Sequence, residues 1–90
     1  MNSYSYFVTK SAQSDLKKIG SVDQKRLGRK LGFFLETGDP IVFATQLVGI
    51  KPPIWRFRVG KYRIFVDVKG TTIRILSVSL RDSAYRNIPR

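Results

Sequence analysis

The chain has 90 residues, 17 of them Lys or Arg against 6 Asp or Glu, for a net charge of +11. That length suits one domain spanning residues 1–90 and leaves no room for a separate substrate module. With neither cysteine nor histidine, a disulfide framework and a thiolate zinc site are excluded, and no metal or cofactor is expected.

An apolar fraction of 42% is enough for one modest core. The opening MNSYSYFVTK lacks the apolar run of a signal peptide and no segment is long enough to span a bilayer, so a soluble, cytoplasmic protein without a membrane partner is expected. By charge alone, the positive field would attract nucleic acid, an anionic membrane or an acidic protein partner. It is also uneven: residues 1–50 carry seven bases and four acids, residues 51–90 ten and two.

YSYFVT at 4–9 alternates and is rich in aromatics, which predicts a first strand. In SAQSDLKKIG, Ser11 is a candidate N-cap. Ala12, Leu16 and Ile19 share one helical face, and Gly20 is a stop signal. SVDQ has the form of a capping box between Ser21 and Gln24. It opens a second helix with Leu27, Leu31, Phe34 and Leu35 as its apolar stripe, ended by Glu36-Thr37-Gly38-Asp39-Pro40. The two helices should form a hairpin, apolar toward a flat surface and polar outside. Residues 39–53 read as a connecting loop with Leu47, Gly49 and the stiff Pro52-Pro53 pair. Three strand-like runs follow at about 54–59, 61–68 and 71–79, then a short tail, RDSAYRNIPR. The fold class is α+β in two layers, with the order β-α-α-β-β-β.

Turn signals set the strand register, and register sets the face of each side chain. A two-residue loop at Gly60-Lys61, suited to a type II′ turn, places Val59 opposite Tyr62, Arg58 opposite Arg63, Phe57 opposite Ile64 and Arg56 opposite Phe65. A second two-residue loop at Lys69-Gly70 places Val66 opposite Ile73, Phe65 opposite Arg74 and Arg63 opposite Leu76. One face then gathers Trp55, Phe57, Val59, Ile64, Val66, Ile73 and Ile75 beneath the helices. The other gathers Arg56, Arg58, Arg63 and Arg74, with Phe65, Leu76 and Val78 between them.

Like charges opposite each other destabilise a sheet, so folding alone does not favour Arg58 across from Arg63. Guanidinium groups over a partly apolar floor suit phosphate, which each grips through two hydrogen bonds. Lys61 at the hairpin tip adds to the group. The alternative is a solvated face that happens to be basic. Phe65 has two open roles, stacking on a base or underpinning the tail. Lys17, Lys18, Lys25, Arg26, Arg29 and Lys30 on the outer helical face are either ordinary solvated charge or contacts to an RNA backbone.

WRFRVGKYRIFVDVKGTTIRILSVSLRDSAYR, together with the Leu47/Gly49 loop and the element order, resembles the RelE/ParE superfamily of toxins from type II toxin–antitoxin systems. The specific part is residues 47–86, where VGKYRI and LRDSAYR match the family's basic-strand run and closing Arg–Tyr motif. The resemblance implies a RelE-like fold. RelE-like members are mRNA interferases that cut messenger RNA in the ribosomal A site, whereas ParE-like members inhibit DNA gyrase and lack the nuclease residues. Carried over by motif, the RelE-branch residues are Arg56, Arg58, Arg63, Arg81 and Tyr85. The expected catalytic set is Arg63, Arg81 and Tyr85, with Arg56, Arg58, Lys61, Arg74 and Phe65 binding RNA or phosphate. Many members carry lysine where this chain has Arg56 and Arg58, and some carry a histidine before the final arginine that this chain lacks. The resemblance also implies a cognate antitoxin with an acidic, partly disordered segment, and the ribosome with its mRNA as target. Operator DNA would be reached only through the antitoxin complex. The alternatives are a gyrase inhibitor and a non-catalytic nucleic-acid-binding module.

Overall fold

In a computed structural model, which describes residues 3–81, 84 and 86, β1 (Ser5–Val8) is followed by α1 (Lys10–Lys17) and α2 (Ser21–Glu36). A 3-10 turn (Pro40–Phe43), β2 (Thr45–Gln46), β3 (Trp55–Val59), β4 (Tyr62–Lys69) and β5 (Thr72–Ser79) complete the order. The strands form one five-stranded sheet in the order β1-β5-β4-β3-β2. β1 lies parallel to β5 and the other pairs are antiparallel. This is the α+β architecture the residue pattern predicts, with one addition. The 39–53 connection is not a plain loop: it contains the 3-10 turn and the two-residue edge strand β2.

The helix starts differ from expectation. Thr9, not Ser11, caps α1: its Oγ1 accepts from the Ala12 N–H and donates to the Ile75 carbonyl, at 3.3 and 2.8 Å. That second bond ties the helix start to β5 and explains why the earlier hydroxyl wins. The Ser21–Gln24 capping box does not form, because Gly20 is the N-cap of α2 and makes no side-chain bond there. Gln24 reaches backward instead, donating to the carbonyls of Leu16 and Ile19 at 2.7 and 2.8 Å. The Leu16 carbonyl lies in the last turn of α1, where helical acceptors lack partners within the helix, and that of Ile19 just beyond its C-cap Lys18. The short gap between helices makes the same side chain more useful behind α2 than at its front.

Between helices and sheet lies a core of Ala12, Leu27, Phe34, Phe57, Val59, Ile64, Val66, Ile73, Ile75 and Val78. Phe34 stacks on Phe57 of the sheet at 5.1 Å and on Phe43 of the 3-10 turn at 4.6 Å, which joins three elements. Tyr6 donates to the Leu31 carbonyl at 2.9 Å, and burial pushes its phenol up to about 12. The opposite sheet face carries a smaller core of Ile54, Phe65 and Leu76, covered by Leu47, Ile50 and Ala84. Where β1 ends, α1 takes over the edge of β5: Asp15 Oδ2 accepts from the Val78 N–H and from Ser77 Oγ, at 2.9 and 3.1 Å. Among the described residues no helix is long and apolar enough to cross a membrane.

The β3–β4 register matches expectation at Val59–Tyr62, Arg58–Arg63, Phe57–Ile64 and Arg56–Phe65. Gly60 has φ +58° and, among the described residues, none other than glycine has positive φ, as a type II′ turn at Gly60-Lys61 requires. The second hairpin is corrected. Its loop is Gly70-Thr71, so Lys69 pairs with Thr72, Asp67 with Arg74, and Val66 with Ile75. Gly70, at φ +61°, takes the first loop position, where a II′ turn needs the glycine. A two-residue slip keeps every side chain on its face. The bulge beyond it does not: Val66 pairs with Ile75 but Phe65 with Ser77, leaving Leu76 as the extra residue. Val78 therefore turns from the arginine face into the main core, and Arg63 pairs with Ser79 rather than Leu76.

Candidate RNA-binding and catalytic face

The arginine face is built from β3 and β4 outward. Arg58 and Arg63 stand directly across from each other, and Ser79 of β5 continues the row. In the next row Arg56 lies between Thr45 of β2 and Phe65 of β4. Paired positions in an antiparallel sheet sit about 4.5–5.5 Å apart at Cα, so Arg58 and Arg63 branch from neighbouring points. Arg63 Nη1 donates to the Lys61 carbonyl at 2.9 Å, which draws the guanidinium toward the hairpin tip. Arg81 lies just past the end of β5, where its backbone N–H donates to Ser79 Oγ at 3.1 Å. Ser79 is thus the link between the Arg63 row and Arg81. Arg58, Lys61 and Arg81 are exposed, and Arg56 and Arg63 half-buried. Beside Arg81 a shallow depression of about 220 Å³ is bordered by Ser11, Asp15, Ser77, Ser79 and Ala84.

Five of the expected residues, Arg56, Arg58, Lys61, Arg63 and Arg81, therefore collect at one end of the sheet. Two others do not serve as expected. Phe65 is 0% exposed beneath Ile54 and Leu76, so it underpins the loop and tail and cannot stack on a base. Arg74 lies opposite Asp67, four residues along β4 from Arg63 and so about 13 Å away. Its Nε and Nη2 donate to the two carboxylate oxygens of Asp67 at 2.7 and 2.5 Å. That hydrogen bond holds the guanidinium pKa above its ordinary value, although burial opposes it. Arg74 balances a buried carboxylate. Tyr85 lies outside the described residues.

Sequence reasoning missed this ion pair and the part played by Ser79. Both follow from the β4–β5 register. The signal was available: only the observed register puts Asp67 opposite a base, and cross-strand opposite charges stabilise a sheet. The bulge that brings Ser79 beside Arg63 has no comparable mark.

A family model described as the ParE toxin of the type II toxin–antitoxin system parDE matches residues 6–85. No curated protein sequence matches the chain significantly. Among solved structures, the toxin–antitoxin complex RelBE2 of Mycobacterium tuberculosis is similar at 23% identity, with 87% of this chain and 98% of that one covered and a TM-score of 0.73. The RelB–RelE antitoxin–toxin complex of Methanococcus jannaschii is similar at 26% identity, covering 92% and 99%, with a TM-score of 0.70. Free E. coli RelE, in an arginine-to-alanine double mutant, is similar at 21% identity, covering 92% and 88%, with a TM-score of 0.71. A family model that spans nearly the whole chain, and a topology shared with RelE structures, lead to one conclusion: the chain belongs to the RelE/ParE superfamily of toxins from type II toxin–antitoxin systems.

Proposed function

We propose that the protein is a ribosome-dependent mRNA endonuclease, the cytoplasmic toxin of a toxin–antitoxin pair. The observation that carries this reading is the placement of Arg58 directly opposite Arg63, with Arg81 joined to the same row through Ser79. A sheet that sets like charges face to face gives up stability. Phosphate binding offsets that loss.

In the proposed reaction the 2′-oxygen of a ribose attacks the adjacent phosphorus. Its proton passes to solvent water, a P–O2′ bond forms, and the P–O5′ bond breaks as the departing 5′-oxygen takes up a proton from water. The products are a 2′,3′-cyclic phosphate and a free 5′-hydroxyl. Between them lies a phosphorane-like arrangement with extra negative charge on its oxygens. Arg63 and Arg81 stabilise that charge, since fixed donors aimed at developing charge supply the largest part of many rate enhancements. Arg56, Arg58 and Lys61 hold the flanking backbone, and Tyr85 is assigned to the nucleotide, stacking on its base or assisting proton transfer.

The chain has no histidine, and arginine does not titrate near neutrality. Catalysis by this set therefore rests on positioning and electrostatics, and a ribosome that presents bent message in a fixed geometry supplies the positioning. A cognate antitoxin with an acidic segment is the expected protein partner, and operator DNA is reached only through their complex.

The family model's description as a ParE toxin supports a second reading, inhibition of DNA gyrase. Two assays on the purified protein separate them. Primer extension on message from a translation reaction should show new ends carrying 5′-hydroxyls, while gyrase supercoiling at the same protein concentration stays unchanged. Supercoiling blocked with message intact would replace the first reading with the second.

A further inference from the structure

The tip of the β3–β4 hairpin stands beyond the rest of the sheet. β5 pairs with β4 only from Arg63 onward, and β2 pairs with β3 only at Trp55 and Arg56. At Val59 and Tyr62, the last pair before the turn, the sheet is therefore a ribbon of two strands. Such a ribbon is marginal by itself in water, and this one carries Arg58, Lys61 and Arg63 at its end. A side-chain hydrogen bond crosses to it from the helical layer. The Tyr62 hydroxyl donates at 2.8 Å to Asp23 Oδ2, in the first turn of α2. Both residues are half-buried, and the Tyr62 ring packs on the main core. The bond to Asp23 holds the phenol above its ordinary pKa, so it remains a donor throughout the neutral range.

What adjoins this bond gives it a bearing on the site. Arg26 of α2 and Val59, Gly60 and Lys61 of the hairpin border a space of about 280 Å³ around it. Across that gap close packing does not set the distance between tip and helix, and the hydrogen bond does. Tyr62 and Arg63 are consecutive, so their side chains leave opposite faces of the strand. Tyr62 points toward α2 and Arg63 toward the cationic face. The carbonyl just before Tyr62, that of Lys61, accepts from Arg63 Nη1 at 2.9 Å, and Lys61 Nζ lies 5.6 Å from the Tyr62 ring centre. The backbone that Tyr62 anchors is thus the backbone that aims Arg63. Charge works against the arrangement: Arg58 and Arg63 face each other, and a free tip would relieve their repulsion by twisting apart.

We infer that Asp23 and Tyr62 are positioning residues: their hydrogen bond pins the hairpin tip to α2 and presets Arg58, Lys61 and Arg63 for phosphate. The inference rests on the proposed nuclease function and adds to it a pair on the helical side of the sheet. Neither residue contacts RNA, and both act through the cations of the tip. Groups already held in reacting geometry spare the reaction the cost of ordering them, and a misplacement of about 1 Å can lower a rate about 100-fold. A purely structural pair would behave differently. Asp23 in the first turn of α2 also favours the helix dipole, but that contribution changes stability and leaves the folded enzyme's turnover alone.

The test measures cleavage of ribosome-bound message by the full chain, at a temperature where every variant is fully folded. Tyr62→Phe, Asp23→Ala, the two together, Asp23→Asn and Arg63→Ala are compared with the wild type. Tyr62→Phe and Asp23→Ala should each lower kcat about tenfold or more, with KM for the ribosome complex within about twofold. The double variant should be no worse than either single one, because all three lose the same bond. Asp23→Asn, whose amide oxygen still accepts from the phenol, should stay within about threefold of the wild type. Amide hydrogen exchange reads the lock without activity: Tyr62→Phe should speed exchange at residues 59–63 and leave the β4–β5 ladder unchanged. Wild-type kcat in Tyr62→Phe, a loss confined to KM, single losses that multiply in the double variant, or unchanged exchange at the tip would each overturn the inference. Cleavage indifferent to Arg63→Ala would overturn the proposed function instead, and the positioning role with it.

Discussion

Asp67 and Arg74 show how one residue pair can be mistaken for half of something else. Read along the strand, Arg74 is another outward cation. In the sheet it is the counterion of a carboxylate only 4% exposed. Asp67→Asn removes two charge-assisted hydrogen bonds but leaves Arg74, 24% exposed, in contact with water, so it should lower stability by about 2 kcal/mol, read as a shift in the urea midpoint. RNA cleavage by the folded fraction should be unchanged, because Arg74 lies away from the Arg58–Arg63 row. Arg58 should behave in the opposite way. Arg58→Thr removes a like-charge opposition and should stabilise the fold by a few tenths of a kcal/mol, up to about 1 kcal/mol, while reducing RNA affinity. A destabilised Arg58→Thr protein would show that the pair is not in conflict. Arg56, Arg58 and Arg63 were legible from the sequence because the Gly60-Lys61 turn fixes their register. Arg74 was misassigned because the next turn allows two positions for its loop, and only the charge match with Asp67 distinguishes them.

The same distinction between pattern and placement appears in whole elements. Every helix and long strand could be read from its periodicity, yet the devices that join them could not. Ser21 and Gln24 have the spacing of a capping box, but Gln24 caps the end of α1. Gln24→Ala should therefore cost about 1 kcal/mol, and Ser21→Ala close to nothing, in thermal or chemical unfolding. A capping box would make the two losses similar. The two-residue strand β2 is too short for any alternation to reveal it. The bulge at Leu76 escaped for another reason: it breaks the alternation on which a sequence reading depends, and so moved Val78 to the wrong face. Its effect on the site is direct, because it sets Ser79 rather than Leu76 beside Arg63.

For the whole molecule, the sheet separates two functions by face. Helices and main core occupy one side, and the cationic row, with a small second core beneath the loop, occupies the other. Stability in alkali should report on the first side. Tyr6 has a folded-state pKa of about 12, above the ordinary value of about 10. Its contribution is therefore complete below pH about 10 and lost as pH rises toward about 12. Tyr6→Phe should remove that part of the alkaline decline while losing about 1 kcal/mol at neutral pH with the bond to Leu31; an unchanged pH profile would show that Tyr6 is not its source. Activity should report on the second side. The central claim is that Arg63 and Arg81 stabilise a transition state whose geometry the ribosome supplies. It is tested most directly by incubating a defined mRNA with the protein, with and without ribosomes, beside Arg81→Ala. The account predicts cuts only on ribosome-bound message and a rate at least about 100-fold lower in the variant, with ribosome affinity reduced by less than tenfold. Equal cutting of naked RNA, or full activity without Arg81, would contradict it.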